Sequence, residues 1–529
     1  MSISAEPSLT TVLHGGTILT MNPAAPQVAA IALRDGRIVA VGDEAEVLAY
    51  AGEASERLHL EGRCVLPGFH DSHVHLTQHG LELSRLQLHE VMTLDEALAQ
   101  VAERARSLPA GSWILGSGFA MSRWGVTALD KSLLDTVAPQ HPVFLISQDH
   151  HSAWVNSAAL QRANISSSTP NPEHGVIVRD DRAEATGLLL EHASALVNAV
   201  VPAPSDAELA EALRAAAADF ASHGVTSVHH MAYEPASHWR QLALLSSRED
   251  YGLRVWACIP QEDIEHAAAL GVATGQGGER FMVGGAKFFA DGALGSLTAW
   301  MLEPYANSQN CGMAIHGLEV MQARLPVAIE AGLTPVVHAI GDAANRMVID
   351  VLEQHAPAWQ ARQLRPRIEH VQHIHPDDVK RLAALGVVAS MQPYHMVFDA
   401  PSIRELLLDR MNRAYPWTSL QRQGAPLAFG SDTPVAHPDI VRRALPAACY
   451  RRGQDGQVLG AEECMPIAEA LQAYTSGAAY AISQEHRRGQ LRPGYDADLT
   501  LLSHNPLEQL DNLQVAGTMV AGQWTYPLR

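Results

Sequence analysis

The chain has 529 residues, 47% of them hydrophobic, and a formal net charge of −20. This is too long for one simple core, so a large domain with a smaller companion is expected, and the apolar share excludes a disordered chain. The acidic balance argues against nucleic acid or an anionic membrane as a partner; with no apolar run that spans a bilayer, no secretory-type leader and five scattered cysteines, a reducing cytoplasm is expected.

In chain order, residues 11 to 65 read as short strands. "IALRDGRIVAVG" sets two β-rich runs around an Asp35–Gly36 turn, a hairpin signal. "CVLPGFHDSH" follows as a buried strand. An interval at about 80–205 interrupts the pattern. It holds one clear strand, "HPVFLISQDHH", and irregular sequence such as "SSSTPNPEHG". We expect it to be an insertion covering the mouth of a barrel. Helical stretches such as "SDAELAEALRAAAADFASHG" then alternate with "GVTSVHH", "LRVWACIP", "MVGGAKFFADG", "LTPVVHAIG", "RPRIEHVQ", "GVVASMQP" and "APLAFGSDTP". With the first strand these make eight, the number of a closed (β/α)8 barrel. "DADLTLLS" and "GTMVAGQWTY" return to strand character at the end. The expected organisation is therefore a composite β domain from residues 1–65 and 485–529, with a barrel over 66–484.

Functional groups in such barrels sit at the C-terminal ends of the strands. The first strand ends in His73 and His75, which share a face because side chains alternate. The fourth carries Lys287, the fifth ends at His338, the sixth at His370 and the eighth at Asp432. Imidazole and carboxylate groups suit zinc and related divalent ions. Each residue also has a structural alternative. A histidine pair arises easily by chance among 27 histidines, and Asp432 in "GSDTP" could cap a helix. It is the set, at the ends of the right strands, that points to a metal site. Lys287, apolar on both sides, should have a lowered pKa. A neutral amine there could take up carbon dioxide as a carbamate and bridge two metals; alternatively it could pair with Asp291.

The motifs "LPGFHDSHVHL", "HSAWVNSAAL", "KFFADGALGS", "VVHAIGDAA", "RIEHVQ", "LAFGSDTPV" and "GQLRPGYDADLTLL" run nearly end to end and resemble the amidohydrolase superfamily of metal-dependent hydrolases. Within it they resemble the amidohydrolase-3 branch that includes N-substituted formamide deformylases. The resemblance implies a distorted (β/α)8 TIM barrel with a composite β-sandwich domain from both termini. It implies two divalent ions, zinc in the first instance: one on His73, His75 and Asp432, the other on His338 and His370, with carbamylated Lys287 between them. His70 and His230 depart from the pattern, standing where an apolar residue and an aspartate are common.

The activity implied is hydrolysis of a non-peptide C–N bond, amide or N-formyl, by a metal-bound hydroxide. Asp432 would be the catalytic proton carrier. His151, His395, Trp113, Trp124 and His230 are candidate substrate contacts, with Trp154 as a further apolar wall. The partner expected is a small molecule, and a homodimer is compatible with the resemblance. Two other readings stand beside this one: an esterase, lactonase or decarboxylase on the same metal site, and a non-catalytic scaffold, against which the filled ligand positions argue.

Overall fold

The computed structural model describes residues 10–51, 55–148, 151–232 and 234–529. The chain divides into two compact units, Met1–Leu76 with Ala216–Arg529, and Thr77–Ala215.

The first unit contains the barrel. Its strands are β1 (Phe69–Val74), β2 (Val225–His230), β3 (Arg254–Pro260), β4 (Phe281–Phe289), β5 (Pro335–Ala339), β6 (Arg367–His370), β7 (Val388–Met391) and β8 (Leu427–Phe429). Six of the eight fall within the runs read from the sequence, and β1 and β4 each extend one residue beyond theirs. Each pairs in parallel with its neighbour in chain order. The ring closes where β1 meets the segment after β8. Val74 bridges Thr433 there, the Asp432 N–H donates to the His73 carbonyl at 2.7 Å, and the His75 N–H donates to the Thr433 carbonyl at 2.9 Å. The Asp71 carboxylate clamps this seam by accepting the Ser431 and His73 N–H groups at 2.8 and 3.3 Å. A Cβ on Gly430 would lie 2.5 Å from the His73 nitrogen, so only glycine lets the two segments approach.

The run "CVLPGFHDSH" divides between two sheets. Cys64–Pro67 pairs antiparallel with Leu499–Leu502 in the terminal sheet, and the barrel strand begins only at Phe69. Gly68 marks the division because a Cβ there would lie 2.3 Å from the Thr226 hydroxyl of β2.

Both chain ends build one eight-stranded sheet. Its core joins Leu13, Ile18 and Ile31 from the N-terminal segment to Leu499, Leu501 and Met519 from the C-terminal one. Asp35 and Gly36 both adopt positive φ, 52° and 72°, as the tightest hairpin turns require. The expected sandwich is hydrogen-bonded as a single sheet with a fork. Strand Thr11–Leu19 pairs with Glu56–His59 through residues 11–14 and with Cys64 and Val65 through Thr17 and Ile18.

The second unit holds a six-stranded sheet, where the sequence shows one clear strand. The strand of that run is Val143–Ser147, and Asp149 and His150 lie outside the described residues. The other five are two to seven residues long, and three of them contain glycine, as in "ILGSGF", which hides their alternation.

A buried ion pair ties the terminal sheet to the barrel. The Arg254 guanidinium donates to both Asp498 oxygens at 2.6 and 2.9 Å. Burial raises the Asp498 carboxyl pKa, but Arg254 and then Arg488 outweigh it and hold it at about 2. Asp498→Ala leaves Arg254 buried without this partner and should lower stability at neutral pH by ~3–5 kcal/mol, measured by urea unfolding. Because the folded pKa lies below the ordinary value of about 3.9, the stabilisation is complete above that value and fades as pH falls through about 2. The difference between the two proteins should therefore shrink in acid. A gap that widens in acid, or no gap at neutral pH, would contradict the assignment.

Candidate metal centre

The C-terminal ends of β1, β5 and β6 and the segment after β8 bring His73, His75, His338, His370 and Asp432 together. Ring centroids of His73 and His75 are 5.6 Å apart, His73 and His370 4.8 Å, and His338 and His370 4.4 Å. The nearest Nε2 atoms of His73 and His75 lie 3.3 and 3.1 Å from the same Asp432 oxygen, Oδ1.

Each of the four rings gives one nitrogen to the protein. His73 Nδ1 meets Glu369 Oε2 at 2.7 Å, and His75 Nδ1 meets the Met231 carbonyl at 2.9 Å. His370 Nδ1 meets Gln392 Oε1 at 2.7 Å, and His338 Nε2 meets the Gly292 carbonyl at 3.0 Å. All four partners are oxygen acceptors, so the ring nitrogen facing them carries the proton. The opposite nitrogen then presents a lone pair: Nε2 in His73, His75 and His370, and Nδ1 in His338. With both rings neutral, two lone pairs face one carboxylate oxygen at 3.1–3.3 Å, an arrangement relieved by a cation, either a proton on a ring or a metal ion among the three groups. Burial lowers the pKa of His75, takes His338 to about 3 and pushes His370 well down, favouring the neutral, ligand-competent ring. His73 differs. Burial lowers its pKa, but Asp432 and then Glu369 outweigh that and raise it.

The ligand-type atoms of His73, His75 and Asp432 lie within 4.8 Å of one another, and so do those of His370, His395 and Asp432. His395, expected only as a substrate contact, thus stands in the second cluster with Nε2 3.7 Å from Asp432 Oδ2. A third grouping, His223, His437 and Asp439, is a poorer cradle. Both Asp439 oxygens are engaged by Arg442, and His437 Nδ1 accepts the Asp439 N–H.

Lys287 is fully buried on β4, and burial lowers its pKa. Among the described residues its side-chain nitrogen has no hydrogen-bond partner, and it lies 4.5 Å from the Phe289 ring centre. It neither snorkels nor pairs with Asp291. That carboxylate accepts the N–H groups of Trp300, Ile340 and Gly341 at 2.8–2.9 Å. Asp432 does not cap a helix; its carboxylate faces the histidines.

The backbone is strained here. His370, Val371 and Asp432 have φ of 78°, 44° and 63°. Such conformations cost about 1–3 kcal/mol each and are least tolerated by a β-branched residue. The strain has a geometric use. Alternation along β6 puts Arg367 and Glu369 inside the barrel and would turn His370 outward; the left-handed turn at His370 brings its ring back to His73 and His338.

Glu369 is the residue that sequence reasoning missed. It orients His73 and is itself held by Arg367 Nε at 2.5 Å. Arg367 also donates to Ser390 Oγ at 2.6 Å, to the Ser72 carbonyl at 2.5 Å and to His229 Nδ1 at 2.9 Å. Both side chains are fully buried. The available signal was the i, i+2 pair of opposite charges in "RIEH".

The family model described as the amidohydrolase family matches residues 58–526. The chain belongs to this amidohydrolase family. It is 33% identical to the Bacillus subtilis protein YtcJ over 97% of this chain and 99% of that one. It is 26% identical to the N-substituted formamide deformylase of Arthrobacter pascens, over 94% of each. A solved metal-dependent hydrolase from Pyrococcus furiosus superposes with a TM-score of 0.79 at 26% identity, covering 94% of this chain and all of the other. The chain is thus a metal-dependent hydrolase of the amidohydrolase family, and its barrel is the amidohydrolase barrel.

Other expected substrate contacts of this amidohydrolase have different surroundings. His230 is buried with both ring nitrogens engaged: Nδ1 accepts the Leu76 N–H at 3.1 Å and Nε2 faces Glu234 at 3.4 Å. Trp124 packs against Phe119 and Trp154 in one core of the second unit, and Trp113 belongs to the other core. Trp113 and Trp124 are half-buried and pack against these cores, whereas Trp154 is fully buried. His151 is exposed in the same unit, 3.0 Å from Glu191. His70 is buried inside the barrel beside His229, and burial takes its pKa to about 3.

Glu369→Gln leaves the buried Arg367 guanidinium opposite a neutral amide. It should lower stability by ~3–5 kcal/mol in urea unfolding at neutral pH, and adding Arg367→Met should restore much of the loss. Unfolding midpoints unchanged from the parent would contradict this.

Proposed function

We propose that the chain hydrolyses a non-peptide C–N bond of the amide or N-formyl type, releasing an amine, at a two-cation centre. The observation that supports it is the convergence of the His73 and His75 nitrogens on Asp432 Oδ1, at 3.3 and 3.1 Å, with each ring's other nitrogen bound to an acceptor. The kinship with an N-substituted formamide deformylase supports the bond type.

In this reading His73, His75 and Asp432 hold one ion, and His338 and His370 hold the other. The donor set of imidazole and carboxylate suits zinc. Bound divalent ions would supply Lewis acidity for a carbonyl oxygen and a lowered pKa for water. The protein's own residues do the rest. Glu369, Met231, Gln392 and Gly292 fix the rings, which is how neighbours of a metal site set its affinity. Asp432 takes a proton from the attacking water and returns it to nitrogen as the C–N bond breaks. His395, facing the second Asp432 oxygen, is placed to meet the substrate or to orient that carboxylate.

Lys287 fits the bridging role in its neutral form. Its amine nitrogen bonds to the carbon of carbon dioxide and loses a proton, giving a carbamate with two oxygens. Isotope-labelled bicarbonate should give a carbamate signal by NMR in the wild-type protein and none in Lys287→Ala, and that variant should lose bound metal. Full metal retention by Lys287→Ala, or no labelled signal from wild type, would exclude the bridge.

Asp432→Asn should lower kcat on a formamide by about 10²–10⁴-fold, the usual worth of general acid–base catalysis, with a smaller change in KM. Near-normal turnover would remove Asp432 from the proton path.

A further inference from the structure

The segments that follow β7 and β8, largely helical, border a second feature, an open depression of about 510 Å³ lined by Arg442, Arg443 and Arg452, with Tyr394, Tyr450 and a single carboxylate, Asp439, among its other walls. Three guanidinium groups against one carboxylate is an unusual balance in a chain of net charge −20. Asp439 is already used. It accepts the Arg442 backbone N–H at 2.9 Å and the Arg442 Nε–H at 2.6 Å, which fixes that side chain. Among the described residues neither Arg443 nor Arg452 has a carboxylate partner. Arg443 donates to the Tyr394 hydroxyl at 2.6 Å and lies over the same ring at 5.4 Å. Arg452 donates to the Gly456 carbonyl at 3.3 Å. Each therefore spends one N–H on a neutral acceptor that orients it and keeps the rest of its fork free.

We propose that this depression is a subsite for an anionic group, carboxylate or phosphate, carried by the substrate. Arginine forks match the paired oxygens of both groups, and the depression lies among the segments that follow the seventh and eighth strands, the region where barrels of this kind often bind phosphate. The depression is also tied to the candidate centre. Tyr394 immediately precedes His395, whose Nε2 is 3.7 Å from Asp432 Oδ2, and Arg442 and Arg443 lie on the segment that leaves β8 through Asp432. The two walls thus follow β7 and β8, as His395 and Asp432 do. A local positive field would also draw an anionic substrate to an otherwise acidic protein. The assignment to substrate rests on the amide-hydrolysis reading; the anion site itself does not.

The test is calorimetric titration of inorganic phosphate and, separately, of glutarate into the metal-loaded full-length protein. At least one anion should bind saturably, about tenfold or more weakly in Arg443→Gln/Arg452→Gln, and with partial recovery in Arg443→Lys/Arg452→Lys. The anion that binds identifies the group. No saturable binding, or equal binding by wild type and the glutamine variant, overturns the proposal. Both arginines are exposed, so the variants should unfold at the wild-type temperature. Neither anion is hydrolysed, so the outcome stands whatever amides the enzyme cleaves. N-formyl-β-alanine and N-formylpropylamine then link the subsite to substrate. The glutamine variant should lose kcat/KM for the acid and keep it for the neutral amide. Equal loss on both overturns the link. Turnover of neither by wild type counts against these formamides as substrates and leaves the anion result intact.

Discussion

Four histidine rings at the end of the barrel each surrender one nitrogen to an oxygen of the protein, and that constraint decides the chemistry of the site. With those protons committed to Glu369, Met231, Gln392 and Gly292, the opposite nitrogens of the neutral rings are lone pairs. Two of them face the Asp432 carboxylate at little more than 3 Å. The arrangement is repulsive by itself and attractive around a cation. A fold that buries it must support it from behind.

That support is the polar interior of the barrel. Arg367 and Glu369 form a fully buried pair across two positions of β6, and Arg367 reaches Ser72, Ser390 and His229 on three other strands. Such a pair contributes little net stability over an apolar filling, but losing one member leaves a naked charge. It therefore couples the register of several strands to the position of one ring. The left-handed backbone at Asp432 is held by closed hydrogen bonding, since Asp432 sits in the seam that joins β1 to the segment beyond β8. Strain, seam and ligands coincide because a barrel must close somewhere, and here it closes through the site.

Much of this was legible in the sequence. The eight barrel strands stood out because each is a short apolar run set between helical stretches, and the ligand-type residues stood out because they end those runs. The terminal strands were legible through Asp35–Gly36 and the β-rich ending. What was hidden had specific causes. Glu369 lies next to His370, so strict alternation puts only one of the two inside; the positive φ at His370 admits both. Gly68 divides one apolar run between two sheets because of a contact with Thr226, remote in sequence. The sheet of the second unit is built from short strands, three of them containing glycine, whose periodicity is too brief to read. Trp113 and Trp124 pack, half-buried, against the cores of the second unit, contacts that the sequence alone does not display. His395 gains its place beside Asp432 only through the turn after β7.

The most direct measurement is the anomalous diffraction of zinc-loaded crystals at the zinc edge. The account expects one strong peak among His73, His75 and Asp432 and a second beside His338 and His370, with connecting density at the end of Lys287. No peak at these residues, or zinc bound only at His223 and His437, would contradict it.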